Sequence, residues 1–307
     1  MTEPPANGNK PPTSLDPQTL ARLKGLTLRA RHIVEGYVSG LHRSPYHGFS
    51  IEFAEHREYA PGDDLRYLDW KVFGRTDKYY LKQYEDETNL ICYLVLDVSE
   101  SMRYQGPDSP LSKFEYAQCV AAAMAWLVLQ QQDAVGLVTF DDEIRANVSP
   151  SSGAAHLRQL LQVMESAEVR AKTATGPIFH ELAERFRKRG VVVILSDLFD
   201  DVTSLMAGLK HFRHRRQDVI LFHVLDGAEV DFPFRSPTLF KGLEQMPHVA
   251  ADPRSLRKAY LREFAAYQQQ LQRGCRSQGM DYLLVRTDQP LDVTLSSYLG
   301  QRTSRVK

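Results

Sequence analysis

The stretch "ICYLVLDVSESM" at residues 91–102 decides the fold, because six mostly apolar residues run directly into a carboxylate and two hydroxyls. An apolar run of this length is typical of a strand that is buried on both faces. In extended backbone alternate residues point the same way, so Asp97, Ser99 and Ser101 are expected to direct three oxygens toward one point. The stretch therefore predicts a polar site at the end of a buried strand.

Similar apolar runs that end near an aspartate recur along the rest of the chain. Apolar runs at 134–140, 191–195, 219–225 and 281–286 also read as strands, and the first three of them are followed closely by an aspartate. Apolar residues at helical spacing predict helices near 112–132, 157–164, 177–190, 205–212, 255–273 and 290–299. A Ser–Glu pair three residues apart, at Ser112, has the spacing of a capping box at the start of the first of these helices.

Strands separated by helices of more than ten residues imply parallel pairing with helices on both faces of the sheet. The predicted fold class is therefore α/β, with a doubly wound, mostly parallel sheet. In such sheets ligands bind beyond the carboxyl ends of the strands. Asp97, Asp141 and Asp197 are all expected at that edge.

The texture of the chain predicts four segments. Residues 1–17 hold five prolines and almost nothing that could enter a core, which predicts a disordered tail. Residues 18–90 are predicted to form an N-terminal helical and strand segment, 91–300 the α/β domain, and 301–307 a second tail.

The charge balance excludes a global electrostatic field. Lys plus Arg and Asp plus Glu each number 38 among 307 residues, so nothing pulls the whole chain toward nucleic acid or an anionic membrane. The longest apolar run, 119–129, is shorter than the roughly 20 residues that span a bilayer, and the N-terminus lacks the apolar core of a signal peptide. The three cysteines lack metal-ligand spacing. We therefore expect a cytoplasmic protein without a membrane span.

The polar residues at the strand ends favour a hard divalent cation. Mg²⁺ prefers about six oxygen ligands and usually keeps some waters, so a few protein oxygens suffice. Asp197, after the run 191–195, and Thr173, in the loop before the third helix, stand where the alternation would deliver two more ligands. Thr175 is the alternative hydroxyl, although it could instead cap its helix. Asp and Ser also follow strands simply as local caps, so a purely structural interpretation stays open.

The five candidate ligands, in this order and on alternating strands and helices, resemble the metal-ion-dependent adhesion site (MIDAS) of von Willebrand factor type A domains. They are Asp97, Ser99, Ser101, Thr173 and Asp197. The resemblance implies bound Mg²⁺, or Mn²⁺ or Ca²⁺ in its place, and a protein partner that offers an acidic residue. One departure lies in "KTATGPIF" (172–179), which lacks the acidic residue that often follows the threonine in relatives.

A second resemblance lies upstream, in "EFAEHREYAPGDDLRYLDWKVFGRT" (52–76). This stretch is similar to the signature of the bacterial domain-of-unknown-function family 58, in which such a block precedes a von Willebrand type A domain. The matching positions are Arg57, Tyr59, Gly62, Asp63, Asp64, Arg66, Asp69 and Trp70. Many relatives also carry a membrane anchor, which we do not expect in this chain.

The charges of this signature block favour a structural role. Arg57 and Arg66 stand with three aspartates within a short stretch, as in an ion-pair network that pins the N-terminal segment against the sheet. A partner-binding or catalytic surface is the alternative. Tyr59 and Trp70 are expected to pack against the protein rather than to stack on nucleic-acid bases.

The chemistry of the strand-end site favours binding over catalysis. A Mg²⁺ ion held mostly by neutral hydroxyls stays electron-poor, so it attracts an acidic group from outside. We therefore predict a non-enzymatic module for metal-dependent protein–protein interaction. By the family resemblance, its partner is a MoxR-type AAA+ ATPase, for which this chain would act as an adaptor or co-chaperone.

Two other classes of function are less favoured. A haloacid-dehalogenase-type phosphohydrolase also binds Mg²⁺ at this edge of a parallel sheet, but it needs a second carboxylate two residues after the first, where this chain has Ser99. A nucleic-acid adaptor would depend on "KHFRHRRQ" (210–217) alone. Cations at a helix end are explained by the helix dipole, so no nucleic-acid partner is expected.

Overall fold

A computed structural model of the chain describes residues 20–21, 23, 25–41, 56–58, 74, 79–82, 90–153, 155–169, 175–244 and 246–291. Backbone contacts divide the chain into two units, Met1–Gly40 with Leu90–Lys307, and Leu41–Asn89. In the smaller unit, the strands β1 (His56–Glu58) and β2 (Tyr80–Lys82) pair antiparallel.

A six-stranded sheet forms the centre of the larger unit. Its strands are β3 (Ile91–Asp97), β4 (Ala134–Phe140), β5 (Ile144–Ser151), β6 (Val191–Ser196), β7 (Asp218–Leu225) and β10 (Asp281–Arg286). Their order across the sheet is β10, β7, β6, β3, β4, β5. The β4–β5 pair is antiparallel and the other four pairs are parallel. The predicted α/β fold with a doubly wound, mostly parallel sheet is confirmed.

The described helices alternate with these strands. They are α1 (Leu26–Leu41), α2 (Lys113–Gln130), α3 (His156–Ser166), α4 (Thr175–Arg185), α5 (Val202–His214), α6 (Gly227–Asp231) and α7 (Pro253–Ser277). The capping box predicted at the start of α2 is confirmed, since Ser112 and Glu115 exchange side chain-to-backbone hydrogen bonds. Among the described helices, none combines the length and the apolar character that crossing a bilayer requires. The predicted helix at 290–299 falls almost entirely outside the described residues.

Alternate residues of the central strands feed two apolar cores, one on each face of the sheet. In β3, Leu94 and Leu96 pack in the core bounded by α2 and α3, whereas Tyr93 and Val95 pack in the core bounded by α4 and α5. Because both faces are covered, the central strands are apolar at nearly every position. This packing explains why they read as continuous apolar runs in the sequence.

The structure adds strands that the sequence analysis did not predict. The edge strand β5 follows the acidic turn after β4, alternates between half-buried and exposed residues, and contains Pro150, which edge strands tolerate. A small hairpin pairs β8 (Thr238–Phe240) with β9 (Val249–Ala251). Strands of three residues are too short to show a period in the sequence.

The strand order places a crevice at the carboxyl ends of β3 and β6. From β3 the chain moves to β4 on one side, and later strands are added on the other side, next to β6. In open α/β sheets ligands bind at such a point of reversal. Asp97 is the last residue of β3, and Asp197 directly follows β6.

Candidate functional site

The loop after β3 brings the three residues of the opening motif together. Asp97 Oδ1 accepts the backbone N–H of Ser99 at 2.8 Å, and the hydroxyl oxygens of Ser99 and Ser101 lie 3.0 Å apart. Asp97 and Ser99 are fully buried, whereas Ser101 is 8% exposed. The hydroxyl of Ser99 makes no capping hydrogen bond to the short 3₁₀ helix Glu100–Arg103 that follows it. The local-cap interpretation thus fits the Asp97 contact but not the serine hydroxyls.

Ser196, to which sequence reasoning assigned no role, joins the ends of β3 and β6. Its hydroxyl donates to Asp97 Oδ2 at 2.5 Å and accepts the Leu198 N–H at 2.9 Å. Burial and then the charge of Asp197 raise the pKa of Asp97 to about 7, against the lowering effect of its hydrogen bonds. The charged form of Asp97 is therefore costly without a counter-charge.

Asp197 lies beside a buried lysine that sequence reasoning also missed. Lys113 Nζ donates to Asp197 Oδ2 and to Glu229 Oε1, each at 2.8 Å, and its side chain is 0% exposed. Burial opposes the charged form of Lys113, but the two carboxylates outweigh it and raise its pKa. The ammonium also lies 5.0 Å from the ring centroid of Phe199 and 5.8 Å from that of Tyr104. Lys113 is thus a permanent cation inside the cluster.

The position of Lys113 is the signal that could have identified it. It is the first residue of α2, where the helix dipole disfavours a cation, and it stands between the buried Leu111 and Phe114. A lysine in this setting requires buried carboxylates nearby. The sequence alone does not show which carboxylates these are.

Asp226 anchors the far side of the cluster. It caps α6, and its Oδ2 accepts the Gly106 N–H at 2.9 Å and the Thr287 hydroxyl at 3.0 Å. The Glu229 side chain accepts the Asp226 N–H at 2.8 Å, which completes a capping box and directs the carboxylate toward Lys113. Burial raises the pKa of Glu229, and Lys113 offsets part of that effect.

His223, on β7, supports Asp197 from the neighbouring strand. Its Nε2 lies 2.8 Å from the Asp197 backbone oxygen, and its Nδ1 lies 2.6 Å from the Tyr282 hydroxyl. Burial lowers the pKa of His223 to about 4, although the nearby Asp197 acts in the opposite direction. The ring is therefore neutral at pH 7 and orients the end of β6 without adding charge.

The predicted hydroxyl ligand Thr173 lies outside the described residues, so its role stays a prediction. Thr175, the alternative, is buried at the first position of α4. Its N–H donates to Asp200 Oδ2 at 2.9 Å, and its hydroxyl donates to the same oxygen. The hydroxyl of Thr175 is thus already engaged at the helix start.

The signature block is described only in part. Arg57 lies in β1, opposite Leu81, and its side chain is outside the described residues. The other signature positions also lie outside them: Tyr59, Gly62, Asp63, Asp64, Arg66, Asp69 and Trp70. The ion-pair network expected of this block stays a prediction.

The donor set at the crevice fits a small hard cation. One carboxylate and two adjoining hydroxyls supply oxygens, which Mg²⁺ prefers. The wider cluster holds three buried carboxylates, Asp97, Asp197 and Asp226, and the partly buried Glu229, against the ammonium of Lys113. Within the described part of the chain no three Asp, Glu, His or Cys side chains converge as metal ligands. A cation here would therefore depend on the serine hydroxyls.

The fold and this cluster define an α/β protein with a buried carboxylate–hydroxyl site at the reversal point of its sheet. Residues 55–270 match the model of the family described as "Protein of unknown function DUF58". Because the match covers more than half of the chain, the chain belongs to this family. The family assignment made from the signature block is confirmed.

The chain is similar in sequence to uncharacterized mycobacterial proteins over most of its length. Uncharacterized proteins of Mycobacterium bovis and Mycobacterium tuberculosis are each 28% identical over 294 residues, which is 94% of this chain and 90% of theirs. The structure of a conserved hypothetical protein, BatB, from Bacteroides thetaiotaomicron is 16% identical and covers 70% of this chain and 98% of that one, with a TM-score of 0.43. That structural likeness is too low to assign a domain type.

Proposed function

We propose that this chain is a non-enzymatic module for metal-dependent protein–protein interaction, with a von Willebrand type A domain and a MIDAS-type site. The observation that carries the proposal is the 3.0 Å approach of the Ser99 and Ser101 hydroxyls beside the buried Asp97. These three residues, with Thr173 and Asp197, would hold Mg²⁺, or Mn²⁺ or Ca²⁺. When bound, the ion supplies an open coordination position to a carboxylate of the partner.

The electrostatics of the cluster support this proposal. Burial and the charge of Asp197 raise the pKa of Asp97, and no described residue supplies it with a counter-charge. Lys113 already balances Asp197 through a 2.8 Å contact. Because Lys113 offsets the charge of Asp197, a divalent ion beside Asp97 would keep more of its positive charge than if Asp197 were unpaired. The remaining positive charge favours an incoming acidic side chain.

The proposed partner is a MoxR-type AAA+ ATPase, which this chain would serve as an adaptor or co-chaperone in the cytoplasm. The support is family membership, because the resemblance to family 58 implies that members are often encoded beside such ATPases. Ser101 is the least buried of the three motif residues, and we expect the partner to approach from its side of the loop.

Calorimetric titration of Mg²⁺ into the EDTA-treated full chain tests the metal site. We expect binding by the wild type and none by Asp97→Ala or Ser99→Ala. The matched control is Asp141→Ala, which removes an equally buried acid from the end of the neighbouring strand β4. Retained Mg²⁺ affinity in a folded Asp97→Ala variant, checked by circular dichroism, would contradict the proposal.

The partner is tested with the purified MoxR-type ATPase of the same organism. We expect association in Mg²⁺ that is lost in EDTA and in Asp97→Ala, and retained in Asp141→Ala. Association that persists in EDTA and in Asp97→Ala would exclude the metal-mediated contact. This result would leave the calorimetric outcome unaffected, so the metal and partner proposals are tested separately.

A Mg²⁺-dependent phosphohydrolase of haloacid-dehalogenase type is the second candidate. Lys113 favours it, since such chemistry uses a lysine near the carboxylates. Against it, both ion pairs of Lys113 are to protein carboxylates, and Ser99 occupies the position that needs a second acid. Metal-dependent hydrolysis of p-nitrophenyl phosphate that requires Asp97 would favour this candidate over the binding module.

A further inference from the structure

Two basic loops lie at the edge of the sheet opposite to the candidate metal site. One connects α4 to β6 and the other connects α5 to β7, so both precede the amino ends of parallel strands. The exposed cations of these loops and of the last turn of α5 form what we call the basic surface, defined as Arg187, Lys188, Arg189, Arg213, Arg215 and Arg216. The surface gathers six positive charges at one end of a chain whose net charge is zero.

A buried glutamine fixes the two loops together. Gln217 Oε1 accepts the Gly190 N–H at 2.8 Å, and Gln217 Nε2 donates to the backbone oxygens of Phe186 and Lys188 at 3.1 and 2.8 Å. The Asp218 N–H adds a bond to the Gly190 oxygen at 3.0 Å. The six cations therefore belong to one rigid surface although they come from two separate parts of the sequence.

The fold does not account for most of these cations. Within the described residues, none of the six lies within 4.0 Å of a carboxylate, whereas the adjacent Arg185 pairs with Glu181 at 2.6 Å. The helix dipole favours Arg213, which lies in the last turn of α5, but the other five cations follow the ends of α4 and α5. Arg216 even adopts a left-handed φ of 58°, where glycine is the usual residue.

A cavity of about 180 Å³ opens beside the first loop. Arg185, Arg187 and Lys188 line one side of it, and Asn147 and Ser149 of β5 line the other. Most of the other lining residues are apolar, among them Leu137 and Val148. The cations of this recess, rather than its apolar wall, are the groups that suit an anionic ligand with several oxygen acceptors.

We propose that the basic surface docks this chain on a bilayer that contains anionic phospholipids, with headgroup phosphates as its ligands. The planar fork of arginine matches phosphate oxygens in bidentate pairs, and five of the six cations are arginines. Clusters of roughly four to eight Arg and Lys residues are the size that binds anionic lipid surfaces. The basic surface, with six cations, falls within that range, and the proposal requires no apolar side chain to enter the bilayer.

Nucleic acid fits the same residues less well. Binding to single strands uses exposed aromatic rings for base stacking. The aromatic residues nearest to the six cations in sequence, Phe186 and Phe212, are both buried in the core. Docking on a bilayer also leaves Asp97 and Asp197 at the opposite ends of the strands, facing away from the membrane.

Vesicle sedimentation of the full chain tests the proposal, with phosphatidylcholine vesicles that contain about 30 mol% phosphatidylglycerol. We expect salt-sensitive binding to these vesicles and none to pure phosphatidylcholine. The triple substitution Arg187→Gln, Lys188→Gln and Arg189→Gln should weaken partitioning about 100-fold, from the usual contribution of each cation near an anionic surface. A second triple, Arg213→Gln, Arg215→Gln and Arg216→Gln, should do the same.

The matched control is Arg158→Gln, Lys258→Gln and Arg262→Gln, which removes the same charge from exposed positions elsewhere. Equal losses in the control, or unchanged binding in both test triples, would overturn the proposal. A wild-type chain that ignores anionic vesicles but binds duplex DNA through the same six residues would reassign the surface to nucleic acid. Vesicle binding should persist in EDTA and in Asp97→Ala, so it stands or fails independently of the metal site.

Discussion

Two neighbouring strands, β3 and β4, both end at a fully buried aspartate, yet the surroundings of the two acids differ. After β4, both oxygens of Asp141 accept hydrogen bonds at 2.7 Å from Nε of Arg145, four residues on. After β3, Asp97 accepts hydrogen bonds only from neutral donors among the described residues, the Ser99 N–H and the Ser196 hydroxyl. Asp141 is therefore paired with a cation of its own hairpin, whereas no described cation pairs with Asp97 at the crevice.

The cations beside the two strand ends also differ in their exposure and in their partners. Arg145 reaches solvent, and its two remaining partners, Asp142 and Glu143, are exposed. Lys113 is fully buried and bridges two acids from distant parts of the chain. A strand-end acid therefore has a local or a long-range electrostatic partner, and the sequence pattern at the strand end does not distinguish the two.

The largest effect is expected from removing Lys113, with Arg145 as the comparison. Lys113→Met leaves the buried Asp197 and the partly buried Glu229 without their counter-charge, which should lower the free energy of unfolding by about 3–5 kcal/mol. Arg145→Met, at a partly exposed pair, should cost about 1 kcal/mol. Denaturant unfolding of both variants measures the difference. Equal losses would show that the two strand ends are electrostatically alike.

The second largest effect is expected from Mg²⁺, which should stabilise the folded chain through Asp97 and not through Asp141. At a Mg²⁺ concentration near 100 times the dissociation constant, a bound ion stabilises a folded chain by about 2.7 kcal/mol. We expect this gain in the wild type and in Asp141→Asn, and its absence in Asp97→Asn. Thermal unfolding with and without EDTA measures it. A Mg²⁺ effect that disappears in Asp141→Asn instead would place the ion at the wrong strand end for our proposal.

His223 should make the free energy of unfolding depend on pH, whereas Arg145 should not. Its pKa is lowered to about 4 in the folded chain, so the unfolded chain takes up the proton first as the pH falls. The contribution is complete above the ordinary pKa of about 6.5, and roughly 2 kcal/mol of it should be lost between pH 7 and pH 5. Arg145 stays charged throughout this range.

Unfolding of the wild type and of His223→Gln at both pH values isolates this contribution. The variant should lose less stability on acidification than the wild type, whatever the other groups contribute. An unchanged pH slope would mean that the ring is already protonated in the folded state. Asp97 acts in the opposite direction, because its raised pKa favours the folded chain as the pH falls.

Among the changes around Asp97 and Asp197, the smallest effect is expected at Ser196. Ser196→Ala removes a hydroxyl that donates to Asp97, and a hydrogen bond to a charged group contributes about 1.5 kcal/mol. The loss should be measurable at pH 8, where Asp97 is ionised. Ser149→Ala, on the exposed side of β5, is the control and should change stability little. A silent Ser196→Ala would mean that the carboxylate finds another donor.

The central strands were predictable because burial on both faces leaves an uninterrupted apolar run, as at 191–195. β5 was not, since it alternates and includes Asn147 and Pro150, and only its pairing with β4 makes it a strand. Propensity within such a segment is weaker than the contacts that the neighbouring strand supplies.

In the candidate site, too, some contacts were predictable from the sequence and others were not. Alternation along extended backbone was enough to bring Asp97, Ser99 and Ser101 together. The role of Lys113 was not accessible, because its partners Asp197 and Glu229 come from two other strand ends. Local spacing predicts neighbours within one loop, whereas the neighbours contributed by other loops follow from the sheet order.

The double ion pair of Lys113 also bears on folding kinetics. Its two bonds join residues 84 and 116 positions apart in the sequence. The first bond requires the start of α2 and the end of β6 to meet, and the second requires the start of α2 and the helix after β7 to meet. Because these contacts are distant in sequence, we expect both to form late in folding. Interactions that are absent from the transition state act mainly on the unfolding rate. Lys113 should therefore slow the loss of the native state, and Lys113→Met should accelerate unfolding while leaving the refolding rate nearly unchanged.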